Sequence, residues 1–316
     1  MPCERAVTIR ALYEVPAPAK LNLDLRVVGR RADGLHLLDS LMVLIDWCDT
    51  LHFERRGDGV LARHDLAVAL PADDLSLRAA RSLQQASGCT LGVDISLDKR
   101  VPWGAGLGGG SSDAASTLLA LNRLWALDWP VERLLPLGLA LGADVPFFLA
   151  GANARARGVG ERLSPIDAAP AWFAVLKPAA GLETRAVFAS AKVAEAVEAA
   201  RIAGFSEAPF GSPQGGPRML REDDPELALS AGRNDLQAAA EDLCPDVSRA
   251  AALLRDAFGN SRMTGSGSAV FAHAGRATEG SMPPAAMPVD RLPGGSGRMC
   301  RSLERHPLAA WARHEG

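Results

Sequence analysis

The strongest chemical signal in the sequence is a glycine-rich segment at residues 102–115. It reads Pro-Trp-Gly-Ala-Gly-Leu-Gly-Gly-Gly-Ser-Ser-Asp-Ala-Ala, with five glycines in the seven positions from 104 to 110. Glycine reaches positive φ at little steric cost, so successive backbone N–H groups can converge on an anion. Leu118, Leu121 and Trp125 follow at helical spacing, and a helix N-terminus adds unpaired N–H groups and a positive dipole end. The segment therefore predicts a phosphate-binding loop.

The residues around this loop narrow its class. The pattern G-x-x-x-x-G-K-[ST] fails because the loop contains no lysine. Gly104, Gly106 and Gly109 match G-x-G-x-x-G, but a dinucleotide-binding fold needs a continuously apolar parallel strand before the loop. Residues 91–97 instead alternate between apolar and polar side chains, which favours a half-covered antiparallel sheet. We interpret the dinucleotide match as accidental.

Two further segments could supply the chemistry of phosphoryl transfer. Asp144 lies between a helix end and an apolar run, where on its own it is as readily interpreted as a helix cap. Lys20 occupies the first polar-face position of an alternating strand, where on its own it is as readily a solvated lysine. Together with a phosphate loop they make a set: the carboxylate accepts a proton from an attacking hydroxyl, and the ammonium steadies the developing charge.

Composition indicates a soluble cytoplasmic protein. The net charge of −3 over 316 residues argues against nucleic acid or anionic lipid as a partner. Five scattered cysteines without a C-x-x-C pair fit a reducing compartment, and the first residues lack the pattern of a signal peptide. Residues 134–154 are nearly apolar but contain Asp144 and two prolines, which favours buried helix and strand over a membrane span.

The periodicity of the chain predicts a mixed α/β architecture. We expect strands at residues 21–27, 41–45, 50–54, 91–97 and 171–176, with a turn over 46–49. Helices are expected from the caps at 73–74 through residue 83, and at 112–125, 131–141 and 185–202. Residues 204–226 suggest a mobile surface loop, and 263–272 a second small-residue loop that runs into a strand. The tail after residue 275 gives no clear pattern.

Three segments of this chain resemble the three motifs of the GHMP small-molecule kinases. They are Pro-Ala-Lys-Leu-Asn (18–22), Gly-Leu-Gly-Gly-Gly-Ser-Ser-Asp-Ala-Ala (106–115) and Gly-Ala-Asp-Val-Pro-Phe-Phe (142–148). Residues 29–36, 96–102, 158–161, 232–236 and 262–267 also match in type and order. Among these kinases the pattern is most similar to those that phosphorylate the 2-hydroxyl of 4-diphosphocytidyl-2-C-methyl-D-erythritol in the non-mevalonate route to isoprenoid precursors.

The resemblance implies a phosphotransferase with an alcohol as acceptor and ATP, with Mg²⁺, as donor. It implies that Asp144 is the catalytic base and Lys20 its partner, and that Asn22, His36 and Phe188 contact the cytidine diphosphate-linked substrate. For Phe188 a plain core position is an equal alternative. The residues that would wrap the ATP phosphates are Pro102, Gly104, Gly106, Leu107, Gly108, Gly109, Gly110, Ser111 and Ser112. No protein-only metal site is expected, because no acidic cluster marks one.

The same resemblance implies a two-domain α/β (α+β) fold with mixed and antiparallel sheets and the active site in the cleft between domains. We expect the domains at about residues 1–165 and 166–316, in a monomer or homodimer. Two alternatives stay open: another GHMP kinase, acting on homoserine, mevalonate or a sugar, or a non-catalytic nucleotide-binding protein on the same fold. Leu35 departs from the family pattern, in which a tyrosine commonly stacks on the cytosine.

Overall fold

The computed structural model describes residues 9–202, 225–278, 280–283 and 286–311. Its strands are β1 (Ala11–Arg30), β2 (His36–Arg56), β3 (Leu61–Asp65), β4 (Gly92–Asp98), β5 (Ala154–Gly158), β6 (Arg162–Pro165), β7 (Ala171–Lys177), β8 (Arg262–Met263), β9 (Val270–Arg276) and β10 (Ser296–Leu303). Its α-helices are α1 (Leu75–Ser87), α2 (Gly109–Leu124), α3 (Val131–Leu141), α4 (Val145–Ala150), α5 (Thr184–Phe188), α6 (Ala191–Ile202), α7 (Pro225–Ala231), α8 (Gln237–Leu243) and α9 (Pro245–Phe258). The expected mixed α/β class is confirmed.

The strands form one mixed sheet organised around the long strand β2. Strand β1 pairs with β2 along one edge, and β5, β10 and β4 pair with successive parts of its other edge. All of these pairs are antiparallel, whereas β3 pairs with β4 in parallel. Strand β4, which precedes the glycine loop, therefore pairs with β2 in the antiparallel sense that its alternating sequence predicts.

The expected turn at residues 46–49 is wrong, because β2 continues through it. The pairing register with β1 shifts there, and the polar side chains bind backbone N–H groups of distant segments. Asp46 Oδ1 accepts from Arg301 N–H, and Asp49 Oδ1 accepts from the N–H groups of Arg100 and Val101. Aspartates are typical of turns, but here their side chains join other segments to the strand through hydrogen bonds.

Three hydrophobic clusters support the sheet. The first packs α1–α4 against β2 and β4, and the second packs α6, α8 and α9 against β7 and β9. The third joins them through β1, β2, β7 and β9, together with Val101, Ala105 and Leu107 of the glycine loop. The expected helices at 73–83 and 131–141 correspond to α1 and α3, and Asp74 caps α1 by accepting from Leu77 N–H at 3.0 Å.

The C-terminal tail contributes a central strand that the sequence analysis did not assign. Strand β10 lies between β2 and β7, so the sheet joins strands from both parts of the predicted 1–165 and 166–316 division. That division stays a prediction. The expected surface loop at 204–226 lies outside the described residues, except that α7 begins at Pro225. None of the described helices is both long and apolar enough to cross a membrane.

Candidate active site

Lys20 lies on β1 with its ammonium buried inside the protein. Only 2% of the residue is exposed, because the polar face of β1 is covered and does not face solvent. Its Nζ donates to Asn22 Oδ1 at 2.5 Å and lies 3.5 Å from Asp144 Oδ2. Its backbone N–H donates to Leu107 O at 2.9 Å, which joins this strand to the glycine loop. The solvated-lysine interpretation does not describe this position.

Asp144 lies directly before α4, where a helix cap was the alternative interpretation. Within the described residues its carboxylate caps no N–H group of that helix, and its backbone has αR dihedrals. The side chain is 36% exposed and forms an ion pair with Lys20. The carboxylate is therefore held by a buried cation at one side and is open to solvent at the other, as a group that accepts a substrate proton must be.

The glycine loop alternates between anchored and left-handed residues. Ala105 and Leu107 are buried in the core, whereas Gly104, Gly106 and Gly108 have φ of +64°, +73° and +72°. Side chains disfavour this backbone region, which explains glycine at these three positions. The buried side chains of Ala105 and Leu107 anchor the loop in the core, and the glycines that alternate with them add no side chains. The predicted phosphate loop therefore has a physical basis in its anchoring.

Helix α2 begins where this loop ends. The first N–H to N–4 carbonyl bond runs from Ser112 to Gly108 at 2.9 Å, so the N–H groups of Gly109, Gly110 and Ser111 precede the helical ladder. Gly108 is the N-cap and has no side chain with which to cap them. The Oγ of Ser112 is buried and has no hydrogen-bond partner among the described residues. These donors at a helix N-terminus suit a phosphate group.

The two small-residue loops pack against each other backbone to backbone. A Cβ at Gly106 would overlap the carbonyl oxygen of Thr264, and a Cβ at Gly265 would lie 2.9 Å from the Cα of Gly106. Ala269 N–H donates to Ala105 O at 3.1 Å. The close approach requires glycine on both sides. The loop at 263–272 is thus a wall of the same site.

Asn22 connects this second loop to Lys20. Its Oδ1 accepts from Lys20 Nζ, from Gly265 N–H at 2.9 Å and from Thr264 Oγ1 at 3.2 Å. Its Nδ2 donates to Ser40 Oγ on β2 at 2.8 Å, and its own N–H donates to Thr264 Oγ1. Every polar atom of the amide is used internally. Sequence analysis assigned Asn22 to the substrate and missed Ser40 and Thr264, because no local pattern marks these contacts.

His36 and Phe188 lie together although 152 residues separate them in sequence (188 minus 36). Their rings stack with centroids 5.0 Å apart and planes inclined by 28°. Phe188 is half-buried on the second hydrophobic cluster, and Leu35 beside them is 51% exposed. Burial, with a smaller contribution from Arg30, lowers the pKa of His36, so its imidazole is neutral at neutral pH and can both donate and accept.

The structure brings the predicted site residues into two groups. Lys20, Asn22 and Asp144 meet the loop formed by Pro102, Gly104, Gly106, Leu107, Gly108, Gly109, Gly110, Ser111 and Ser112. His36 and Phe188 form the second group, at the start of β2 and the end of α5. In the part of the chain that the structure describes, no group of three or more His, Cys, Asp or Glu could hold a metal ion.

Comparison with known proteins agrees with this arrangement. The model of the GHMP kinases N-terminal domain matches residues 74–152. A crystal structure of 4-(cytidine 5'-diphospho)-2C-methyl-D-erythritol kinase superposes with a TM-score of 0.67 at 32% identity, covering 92% of this chain and 99% of that one. A homoserine kinase from Cytophaga hutchinsonii shares the fold, with a TM-score of 0.65 at 17% identity over 94% of this chain and 95% of its own. The fold and the glycine loop thus define a kinase of the GHMP class.

Two relatives narrow the class further. The 4-diphosphocytidyl-2-C-methyl-D-erythritol kinase of Methylibium petroleiphilum is 58% identical over 97% of this chain and all of its own length. The kinase of the same name from Verminephrobacter eiseniae is 51% identical over 97% of this chain and all of its own length. The chain belongs to the 4-diphosphocytidyl-2-C-methyl-D-erythritol kinase family.

Proposed function

We propose that this protein transfers the γ-phosphoryl group of ATP to the 2-hydroxyl of 4-diphosphocytidyl-2-C-methyl-D-erythritol, a step of the non-mevalonate route to isoprenoid precursors. The observation that carries the proposal is the Lys20–Asp144 pair, with 3.5 Å between Nζ and Oδ2. Lys20 lies on β1, and its backbone N–H is hydrogen-bonded directly to the glycine loop. Full-length relatives of that name, up to 58% identical, support the choice of acceptor. A kinase needs an acid–base pair beside a phosphate cradle, and these residues supply both.

Each group has one role in the transfer. The Asp144 carboxylate accepts the proton as the substrate hydroxyl oxygen forms its bond to the γ-phosphorus, and the bond from that phosphorus to the β–γ bridging oxygen breaks to release ADP. The Lys20 ammonium stabilises the negative charge that builds between acceptor oxygen and phosphoryl group. Asn22 holds that ammonium in place through its 2.5 Å hydrogen bond.

The glycine loop is proposed to hold the ATP phosphates. A Cβ at Gly108 would lie 3.0 Å from the Phe148 ring and 3.1 Å from Lys20 Cγ, so the loop backbone lies directly against Lys20. A phosphate bound by the N–H groups that open α2 would therefore lie within reach of Lys20. Contact between the phosphate cradle and Lys20 would hold a γ-phosphoryl group in position for in-line attack.

Magnesium is proposed to arrive on the ATP phosphates, where it would neutralise their charge. The described residues form no cluster of three acidic, histidine or cysteine ligands. Mg²⁺ keeps several waters and binds mainly to substrate phosphates. None of the roles assigned above to Asp144, Lys20 or Asn22 depends on a metal ligand from the protein.

The cytidine end of the substrate is proposed to bind at the His36–Phe188 pair. A neutral imidazole offers one donor and one acceptor to the edge of a cytosine ring, and an aromatic pair gives the ring a stacking surface. Leu35, which is 51% exposed, adds apolar contact where a tyrosine is common in the family. A leucine in place of an aromatic ring can cost about 1–3 kcal/mol of stacking per base.

The deciding experiment measures ADP release by the purified protein with Mg-ATP and four acceptors: 4-diphosphocytidyl-2-C-methyl-D-erythritol, homoserine, mevalonate and galactose. Turnover with the first acceptor alone is the expected result. Turnover with another acceptor would keep the kinase and discard the cytidine roles of His36 and Phe188. ATP binding without turnover on any of the four would favour the non-catalytic nucleotide-binding alternative.

A further inference from the structure

A buried lysine beneath the glycine loop binds two buried carboxylates at once. Lys99 follows β4 and donates to Asp113 Oδ2 at 2.5 Å and to Asp49 Oδ2. All three side chains are at most 5% exposed. This cluster is separate from the Lys20–Asp144 pair, and none of the roles proposed above uses it. Burying three ionisable groups together is costly in desolvation, so the cluster calls for a physical reason.

The cluster ties together the two ends of the glycine loop. Asp49 holds the start of the loop, because its Oδ1 accepts from the N–H groups of Arg100 at 2.5 Å and Val101 at 2.7 Å. Asp113 is the fifth residue of α2, just after the end of the loop. The ammonium of Lys99 bridges the two carboxylates. The distance between the two ends of the loop therefore depends on a single cation.

The cluster also lies close to the N–H groups that open α2. An ideal Cβ built on Gly109 would be 3.1 Å from Lys99 Nζ, so the ammonium touches the inner side of the loop. With all three groups ionised the cluster has a net charge of −1. The second carboxylate oxygen of Asp113, Oδ1, has no hydrogen-bond partner in the described chain. When Asp113 is ionised, an uncompensated negative charge therefore lies behind a site that is proposed to bind phosphate.

We propose that Asp49, Lys99 and Asp113 are positioning residues that hold the glycine loop in its phosphate-binding shape, and that the ionisation of this cluster tunes the affinity of the loop for ATP. This inference rests on the proposed binding of ATP by that loop. It assigns no contact with the reacting atoms to any of the three residues. It assigns them instead an effect on nucleotide affinity, with the acceptor site unaffected.

The sign of the pH effect follows from the charges. Burial raises the pKa of Asp113 to about 8, because the ammonium of Lys99 offsets only part of the desolvation and the charge of Asp49 adds to it. Lys99 and Asp49 are the titratable groups that face Asp113. Below that pKa the protonated cluster is neutral, and above it the cluster is negative and repels the triphosphate. ATP should therefore bind more weakly as the pH rises, and binding should take up protons by linkage.

The experiment measures the Kd of ATP and of ADP by titration calorimetry from about pH 7.5 to about pH 9.5, where the terminal phosphate of each nucleotide, with a second pKa of about 6, keeps a constant charge. The wild-type Kd for both ligands should rise about three- to ten-fold across this range, as expected for one coupled charge. Asp113→Asn keeps an acceptor oxygen for Lys99 and removes the charge, so its Kd should stay flat. Asp113→Leu removes the tie as well and should bind about ten-fold more weakly at every pH.

A matched control is Asp98→Asn, which removes a carboxylate that pairs with Arg100 outside the cluster and should retain the wild-type slope. A slope that persists in Asp113→Asn, or an Asp113→Leu variant that binds like wild type, would overturn the inference. A wild type that binds ATP with no pH dependence would overturn the charge effect and leave the kinase proposal intact. A wild type that binds neither ligand would refute the ATP-binding proposal itself.

Discussion

The packing of the two small-residue loops predicts that alanine is tolerated at Gly104 but not at Gly106. Both glycines belong to the same loop and have nearly the same φ, +64° and +73°. They differ in what a Cβ would meet. At Gly104 no described atom lies within 4 Å of it, whereas at Gly106 it would overlap the carbonyl oxygen of Thr264 and lie 3.0 Å from Gly267 N. The pair separates the cost of conformation from the cost of overlap.

The expected magnitudes follow from these two costs. A left-handed alanine costs about 1–2 kcal/mol, of which about 0.4–1 kcal/mol is recovered because alanine restricts the unfolded chain. Gly104→Ala should thus lower the unfolding free energy by about 1 kcal/mol. Gly106→Ala adds about 1–3 kcal/mol for overpacking against a backbone that cannot rotate away. At about 2–4 °C per kcal/mol, the Tm should fall by about 2–4 °C and about 5–15 °C respectively.

The assay is reversible urea unfolding, with Tm by calorimetry, on both variants and on Gly88→Ala. Gly88 is the C-cap of α1 with φ +68° and open space around its Cβ, so it reports the conformational cost outside the loop. It should match Gly104→Ala. Equal losses at Gly104 and Gly106 would refute the reasoning, because they would mean that the two loops do not depend on close approach.

Three further outcomes are expected. Asp144→Asn should lower kcat by about 10²–10⁴ with little change in the Kd of ATP, and unchanged single-turnover rates would remove the base assignment. Arg262→Met should lower the unfolding free energy by about 2–4 kcal/mol in urea titration. The reason is that the buried guanidinium donates to the carbonyl oxygens of Leu23, Ala228 and Leu229. A loss below about 1 kcal/mol would contradict this. Burial lowers the pKa of His306 to about 4, so below about pH 6.5 the unfolded chain binds a proton that the folded chain does not. The free energy of unfolding should therefore fall by about 3 kcal/mol between about pH 6.5 and 4. In urea titrations across that range, His306→Asn should lose correspondingly less stability.

The chemistry of the site could be predicted from sequence where it is local. The glycine loop contains its own explanation, because its left-handed positions, its anchors and the helix after it are consecutive. The helix that begins after Asp74 was predicted for the same reason, since its cap is adjacent to it in sequence. Asp74 also forms an ion pair with Arg63 of β3 at 2.7 Å, and no sequence spacing could indicate that contact.

The errors arose where polar residues have distant partners. Asp46 and Asp49 suggest a turn because aspartate usually bonds its own neighbours, but here they bind N–H groups at residues 301 and 100–101. Strand β10 was missed for a related reason. Its residues carry four charged or polar side chains among eight and pair on both sides, so its place in the sheet depends on neighbours more than on a pattern of its own.

Asn22 shows why the site could be named but not built from the sequence. A lone asparagine in a strand predicts little, yet its Oδ1 accepts from Lys20, Thr264 and Gly265, the last two more than 240 residues away. Because an amide oxygen has two lone pairs and here serves three donors, none of the three can move without changing the bonds of the others. The loop at 264–265 also packs on Gly106 of the glycine loop. The position of the Lys20 ammonium is therefore coupled to the wall of the proposed phosphate site, which is the coupling that phosphoryl transfer needs between donor and acceptor.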